Sequence, residues 1–178
     1  RSVGKIRELE RFIKDLPEKS SVGMAHTRWA THGAPSLLNA HPHLLDNFAV
    51  VHNGILENEE VIRTSLVQKN VQLKSETDTE LIVALLEEKS RTITDIEEVI
   101  LSVVRELEGS FAIGIMSPLA PDKIYLAKKG SPLVLALGEN EMMFASDISP
   151  LVGVANSVYF LEDEEVVCLQ PSSYEVWD

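Results

Sequence analysis

Cysteine is almost absent: Cys168 is the only one in 178 residues. A single thiol excludes an internal disulfide and a cysteine-only metal cage. Aromatics are scarce at 6%, and 16 Lys and Arg stand against 28 Asp and Glu, for a formal net charge of −12. A surface that acidic repels phosphate backbones and anionic lipid, so neither nucleic acid nor membrane is expected as a partner. No apolar run is long enough to span a bilayer and no signal peptide opens the chain, so a cytoplasmic location is the expectation. Internal repeats, low-complexity segments and linkers are missing too, so the chain is read as one domain. Methionine does not open it: Arg1-Ser2-Val3-Gly4-Lys5 reads like the interior of a longer protein.

What is present is the composition of a soluble globular domain with a real core, 44% hydrophobic and 25% charged. Val3, Ile6, Leu9, Ile13 and Leu16 recur at helical spacing and predict an amphipathic helix over 3–15. Val22–Ala25 predicts a short buried strand, residues 28–47 a loop, and Phe48–His52 a second buried strand closed by Asn53-Gly54. Asn58 can cap a helix through Gln68, and Val71–Leu73 predicts a short strand. Thr77 and Glu80 form a capping-box pattern ahead of a helix to Lys89, and a further helix starts at Thr92 and stops at Gly109. Seven strands follow at hairpin spacing: 110–116, 124–128, 133–137, 142–145, 158–161, 165–169 and 174–177. Strands, then helices, then strands predict an α+β layered fold with antiparallel sheets.

Polar residues are densest in His26-Thr27-Arg28-Trp29-Ala30-Thr31-His32-Gly33, with Asn39–His43, His52-Asn53-Gly54 and Ser75–Asp78 following. Each polar group needs a partner once it leaves water, so such runs are more often sites than scaffolding. Arg28 can grip a carboxylate with two parallel hydrogen bonds. Asp78, at a helix start, can accept an ammonium, and together they suit the two ends of an amino acid. Ordinary surface ion pairs are the alternative for both. Asn53 and Gly54 offer a side-chain amide and an unhindered N–H to one oxygen, the equipment of an oxyanion hole, although Asn-Gly is also a turn signal. Trp29 reads as a core or interface anchor, or a pocket lid. All five histidines lie between 26 and 52, but no helical His-x-x-x-His spacing supports a metal, and histidines that hold the loop are the simpler reading. Cys168 reads as inert core.

These strings, AHTRWATHG at 25–33, NAHPH at 39–43, VVHNGILEN at 50–58, SETDTE at 75–80, and more weakly GSPLV at 130–134 and FASD at 144–147, run in one order. The chain resembles the glutaminase domains of class II glutamine amidotransferases, in the N-terminal-nucleophile (Ntn) hydrolase superfamily, and most of all their glucosamine-6-phosphate synthase branch. The resemblance implies a four-layer αββα sandwich of two stacked antiparallel sheets, here without its first strand. It implies that Arg28 binds the glutamine α-carboxylate and Asp78 its α-ammonium, and that Thr31 and His32 supply backbone contacts. Trp29 would cover the pocket, Asn53 and Gly54 would form the oxyanion hole, and His41 matches a histidine near the site. It implies no metal and no organic cofactor.

The nucleophile of that family is an N-terminal cysteine, which is not among these residues. The sugar-phosphate isomerase domain that follows in the family is the expected partner, with glutamine and glutamate as ligands. A sheet lacking its first strand exposes unpaired backbone and apolar surface, so association into a homo-oligomer is also expected. A glutamine-binding or structural module with no activity of its own is the alternative function.

Overall fold

The computed structural model describes residues 1–14, 20–28 and 33–177. Its larger sheet has six strands, which in chain order are β1 (His43–Leu44), β2 (Ala49–Leu56), β3 (Gly109–Ser117), β4 (Ala120–Lys129), β8 (Val166–Leu169) and β9 (Tyr174–Trp177). The smaller sheet orders β5 (Val134–Leu137) between β6 (Met142–Ala145) and β7 (Ser157–Phe160). Every named pairing is antiparallel.

Two-residue alternation divides the larger sheet's side chains between two cores. Val50, Ile113, Ile115, Tyr125, Ala127, Val166 and Cys168 face the helices α2 (Glu59–Gln68), α3 (Asp78–Lys89) and α4 (Ile96–Val104). The residues between them, Ala112, Ile124, Leu126, Val167 and Leu169, face Leu133, Leu135 and Leu161 around the smaller sheet. With both faces covered, the central strands read as apolar runs rather than alternating ones, which is why they were visible in the sequence. Beyond the smaller sheet, Val134 and Ala136 pack on Leu151 of a 3-10 turn at Ser149–Leu151. The layers therefore run helix, sheet, sheet, helical turn. Helix α3 is buried from Thr79 to Leu86, wedged between the sheet and its neighbouring helices.

Several local expectations give way. The helix α1 spans Ile6–Ile13 and buries no residue, so its apolar face, with Ile6 and Ile13, stays exposed. Val22–Ala25 is not a buried strand; its exposure alternates and it joins no ladder, since four residues with a glycine cannot make a strand without a paired neighbour. The loop 28–47 contains β1. Asn53-Gly54 does not close β2, which pairs with β3 through Leu56. Residues 71–73 form no strand, and Val71 and Leu73 pack on the helix-side core instead.

Side-chain partners explain the shifted helix ends. The helix expected from Thr92 begins at Ile96, because Asp95 accepts from the Glu97 and Glu98 N–H groups. It ends at Val104, and Gly109 opens β3 instead of stopping it. Thr77 occupies the N-cap of α3 but its hydroxyl lies 2.9 Å from His43 Nε2, and Glu80 accepts from the Lys74 and Ser75 N–H groups, so the capping box does not close. Asn58 likewise makes no cap bond; it ties α2 to Glu106 and Glu108.

Candidate active site

Strand β2 organises the site. Strand β1 pairs only with Ala49 and Val50, so beyond Val50 one edge of β2 has no strand against it among the described residues. That edge opens into a cavity of about 940 Å³. Arg28, His41, Asn53, Gly54 and Asp78 all line it, together with His26, His52, Thr79, Phe144 and Ser146. Residues from five separate parts of the sequence therefore meet at one place. Trp29, Thr31 and His32 lie outside the described residues.

Asp78 is the first residue of α3 and is anchored to β2 by both carboxylate oxygens. Oδ2 accepts from Leu56 N–H at 3.1 Å, and Oδ1 lies 3.4 Å from His52 Nδ1. Burial raises the Asp78 pKa, but His52 and the Leu56 and Thr79 N–H groups outweigh it and hold the carboxyl below its ordinary value. Asp78 is thus a fixed anion at the cavity wall.

Arg28 sits on the opposing loop with φ 35°, left-handed for a residue with a side chain. Its N–H donates to His26 Nδ1 at 2.9 Å, and its guanidinium reaches the carbonyls of Gly33 at 3.3 Å and Ala34 at 3.4 Å. The guanidinium thus braces its own loop while facing the cavity.

Asn53 pairs with Ala112 and Gly54 with Phe111. Gly54 has φ 140°, and a Cβ there would lie 2.0 Å from the Ser110 carbonyl oxygen. Only glycine fits such an approach. Asn-Gly here marks a close crossing of two strands, not a hairpin turn.

His26, His41 and His52 line the cavity, and His43 packs against His41. His26 stacks on His41 at 4.3 Å between centroids, and His43 meets His41 edge-on at 5.3 Å. His41 Nδ1 accepts from His52 N–H at 3.3 Å, and His41 Nε2 lies 3.3 Å from Thr79 Oγ1. Burial, reinforced by His26, His43, His52 and Arg28, pulls His41 down to about 2. Burial also dominates at His43, which is pulled down to about 4. His41 and His43 are therefore neutral packing and hydrogen-bonding groups that hold the loop.

Sequence reasoning missed the braces. Asn39, 3% exposed, donates from Nδ2 to Glu76 Oε2 and to the Ala34 carbonyl, both at 3.0 Å, and accepts from Glu76 N–H at 3.1 Å. It locks the Arg28 loop to the segment entering α3. His52 and Thr79 were missed as well. Their strings were conspicuous as polar runs, but nothing in the spacing pairs residue 39 with residue 76.

Residues 36–153 match the glutamine amidotransferase domain family. The chain belongs to that family. It is 42% identical to the glutamine–fructose-6-phosphate aminotransferase (isomerizing) of Pseudomonas aeruginosa, with 100% of this chain aligned to 29% of that protein. It is 43% identical to the Thermotoga maritima enzyme of the same name, over 98% of this chain and 29% of that one. The chain thus spans less than a third of the length of the curated relatives it matches.

Among solved structures, the amidotransferase domain superposes on a glutamine phosphoribosylpyrophosphate amidotransferase from B. subtilis with a TM-score of 0.72. That match has 21% identity and covers 85% of this chain and 33% of that one. A second structure, an allosteric regulatory enzyme of purine biosynthesis, gives 0.74 at 22% identity over 85% and 34%. These likenesses carry the fold: a layered α+β sandwich of two antiparallel sheets. No described helix is long and apolar enough to cross a membrane.

Proposed function

We propose that this chain builds the substrate-binding and oxyanion-stabilising part of a glutaminase. One cavity lined by Arg28, Asn53, Gly54 and Asp78 carries this reading. Arg28 grips the glutamine α-carboxylate and Asp78 accepts its α-ammonium. A thiolate attacks the side-chain amide carbon, and Asn53 Nδ2 and Gly54 N–H receive the oxyanion. Ammonia then leaves, and water releases glutamate from the thioester. Backbone alternation supports the Gly54 role. The His52 and Leu56 N–H groups both point away from β3, to His41 and to Asp78. Gly54, midway between them, has the same heading, toward the cavity.

Thr31 and His32 as backbone contacts, Trp29 as cover and His41 as a buttress rest on the resemblance. The thiolate is that of the N-terminal cysteine of the family. Cys168 does not stand in for it, because it is wholly buried in the helix-side core and burial pushes its thiol pKa up. None of these steps needs a metal or an organic cofactor.

In the complete protein, residues 1–178 act as a partial type-2 amidotransferase domain. The freed ammonia aminates fructose 6-phosphate to glucosamine 6-phosphate on a sugar-phosphate isomerase domain, in a cytoplasmic homo-oligomer. Support comes from the names of relatives 42% and 43% identical to this chain. In the complete gene product, Asn53→Ala is expected to cut glutamine turnover by about 10²–10³ while glutamine still binds. Arg28→Ala is expected mainly to weaken binding. Full turnover in the Asn53 variant removes the oxyanion role, and unaltered affinity in the Arg28 variant removes Arg28 from the pocket. The second reading is a glutamine-binding module without activity of its own. Bound glutamine with no ammonia release from the complete product selects it.

A further inference from the structure

We infer that His52 is a positioning residue for glutamine binding: it donates from Nδ1 to Asp78 and holds that carboxylate in the orientation that meets the substrate ammonium. The inference rests on the role of Asp78 proposed above. His52 lies one residue before Asn53 on β2, but alternation turns it to the opposite face, toward α3. Its side chain is 1% exposed, and Nδ1 lies 3.2 Å from Thr79 Oγ1 and 3.4 Å from Asp78 Oδ1.

The neighbouring hydrogen bonds decide which nitrogen carries the proton. His41 accepts the His52 backbone N–H on Nδ1, so its own proton sits on Nε2, aimed at Thr79 Oγ1. Asp78 is held ionised and can only accept. A bare Nδ1 on His52 would face that carboxylate lone pair to lone pair. The proton would then sit on Nε2, which is buried and has no partner among the described residues. A buried orphan N–H is costlier than a buried orphan acceptor. Both considerations put the proton on Nδ1, shared between Asp78 and Thr79.

The carboxylate is then held at both oxygens, by Leu56 N–H on Oδ2 and His52 Nδ1–H beside Oδ1, and both holds come from β2. Holds on two different oxygens resist rotation of its plane at the wall of the cavity that Asp78 lines. The strand that carries the oxyanion donors therefore also sets the ammonium acceptor.

Asn and Gln substitutions separate the two nitrogens, because an Asn amide nitrogen reaches the Nδ1 position and a Gln amide nitrogen the Nε2 position. In the complete gene product, His52→Gln is expected to raise the KM for glutamine and the Kd for glutamate about tenfold, with kcat within about threefold of the parent. His52→Asn is expected to keep all three within about threefold. A purely structural role would lower the unfolding temperature of both variants and leave affinity alone. Parental affinity in His52→Gln overturns the inference. So does an Asn variant as weak as the Gln variant, or one that fails to fold, since an Nδ1-like donor is held to suffice. Asp78→Asn separates the two claims. If it binds glutamine normally, the pocket reading fails; if it loses glutamine while His52→Gln does not, only the role of His52 fails.

Discussion

Gly54→Ala tests the crossing of β2 and β3 at the candidate oxyanion hole. The added methyl would sit 2.0 Å from the Ser110 carbonyl oxygen, 2.7 Å from Phe111 Cα and 2.9 Å from the Ser110 carbonyl carbon. All three are backbone atoms of the partner strand, so no side-chain rotation relieves the clash. Restoring ordinary contact requires the strands to part by roughly 1 Å or more. That loosens the pairing of Gly54 with Phe111 and of Asn53 with Ala112. Two weakened ladder hydrogen bonds cost about 1 kcal/mol each. Forcing a side chain to φ 140° adds about 1–3 kcal/mol. The expected destabilisation is about 4 kcal/mol.

Two other glycines supply the controls. Gly153 has φ 84° but nothing within 4 Å of its Cβ position, so Gly153→Ala isolates the backbone strain, about 1–2 kcal/mol. Gly23 has neither feature, and Gly23→Ala is expected to change stability by no more than about 0.5 kcal/mol. Denaturant midpoints at unchanged m-value measure the three. Faster hydrogen exchange at Phe111 and Ala112 locates the damage. A Gly54 variant within about 1 kcal/mol of the Gly153 variant would refute the close crossing and restore Asn53-Gly54 as a turn.

Tyr125→Phe is expected to be neutral or to stabilise by about 1 kcal/mol, because the Tyr125 hydroxyl is buried with no partner among the described residues; a clear loss of stability argues against this. Asn39→Ala is expected to cost about 2–3 kcal/mol, since it strands the Glu76 N–H and frees the Arg28 loop, and glutamine affinity should fall with it; unchanged affinity would uncouple the brace from the site. His41 and His43 stay neutral in the folded chain down to about 2 and about 4, whereas an unfolded histidine protonates near 6.5. The unfolded state therefore takes up more protons as pH falls. Stability present above pH 6.5 is lost by about 1.4 kcal/mol per pH unit for each histidine, until His43 protonates in the folded chain as well. Equal unfolding free energies at pH 7 and pH 5 would contradict it.

What was legible in the sequence follows from what each signal measures. Strands β3, β4 and β8 show themselves because both faces of the larger sheet are buried there, so each carries an apolar run between turn residues. Arg28, Asn53 and Asp78 stand out because polar groups crowded beside apolar strands need a reason to be there. Interactions across the fold were not legible. The hydroxyl of Thr77 turns to His43, 34 residues earlier, instead of capping its helix. The carboxylate of Glu80 turns back to Lys74 and Ser75. Asn53-Gly54 misled because local propensity knows nothing of β3, whose approach at Ser110 makes glycine necessary inside a strand.

Among the described residues no strand lies against β2 beyond Val50 on its outer side, and this gives the cavity-lining side chains a second duty. Outward N–H groups on an unpaired edge are a template for strand addition from another copy. Here the His52 and Leu56 N–H groups are met by His41 Nδ1 and by Asp78 Oδ2. A side chain that satisfies an edge donor also denies that donor to a passing strand. Asp78→Ala should therefore lose more than ligand affinity: the Leu56 N–H, deprived of its acceptor, should promote self-association that grows with concentration, readable by light scattering. Asn53→Ala, on the same edge but meeting no backbone donor there, should not. Equal scattering from the two variants would mean that the edge is protected by something other than the site, and that binding and edge protection are separate properties of this strand.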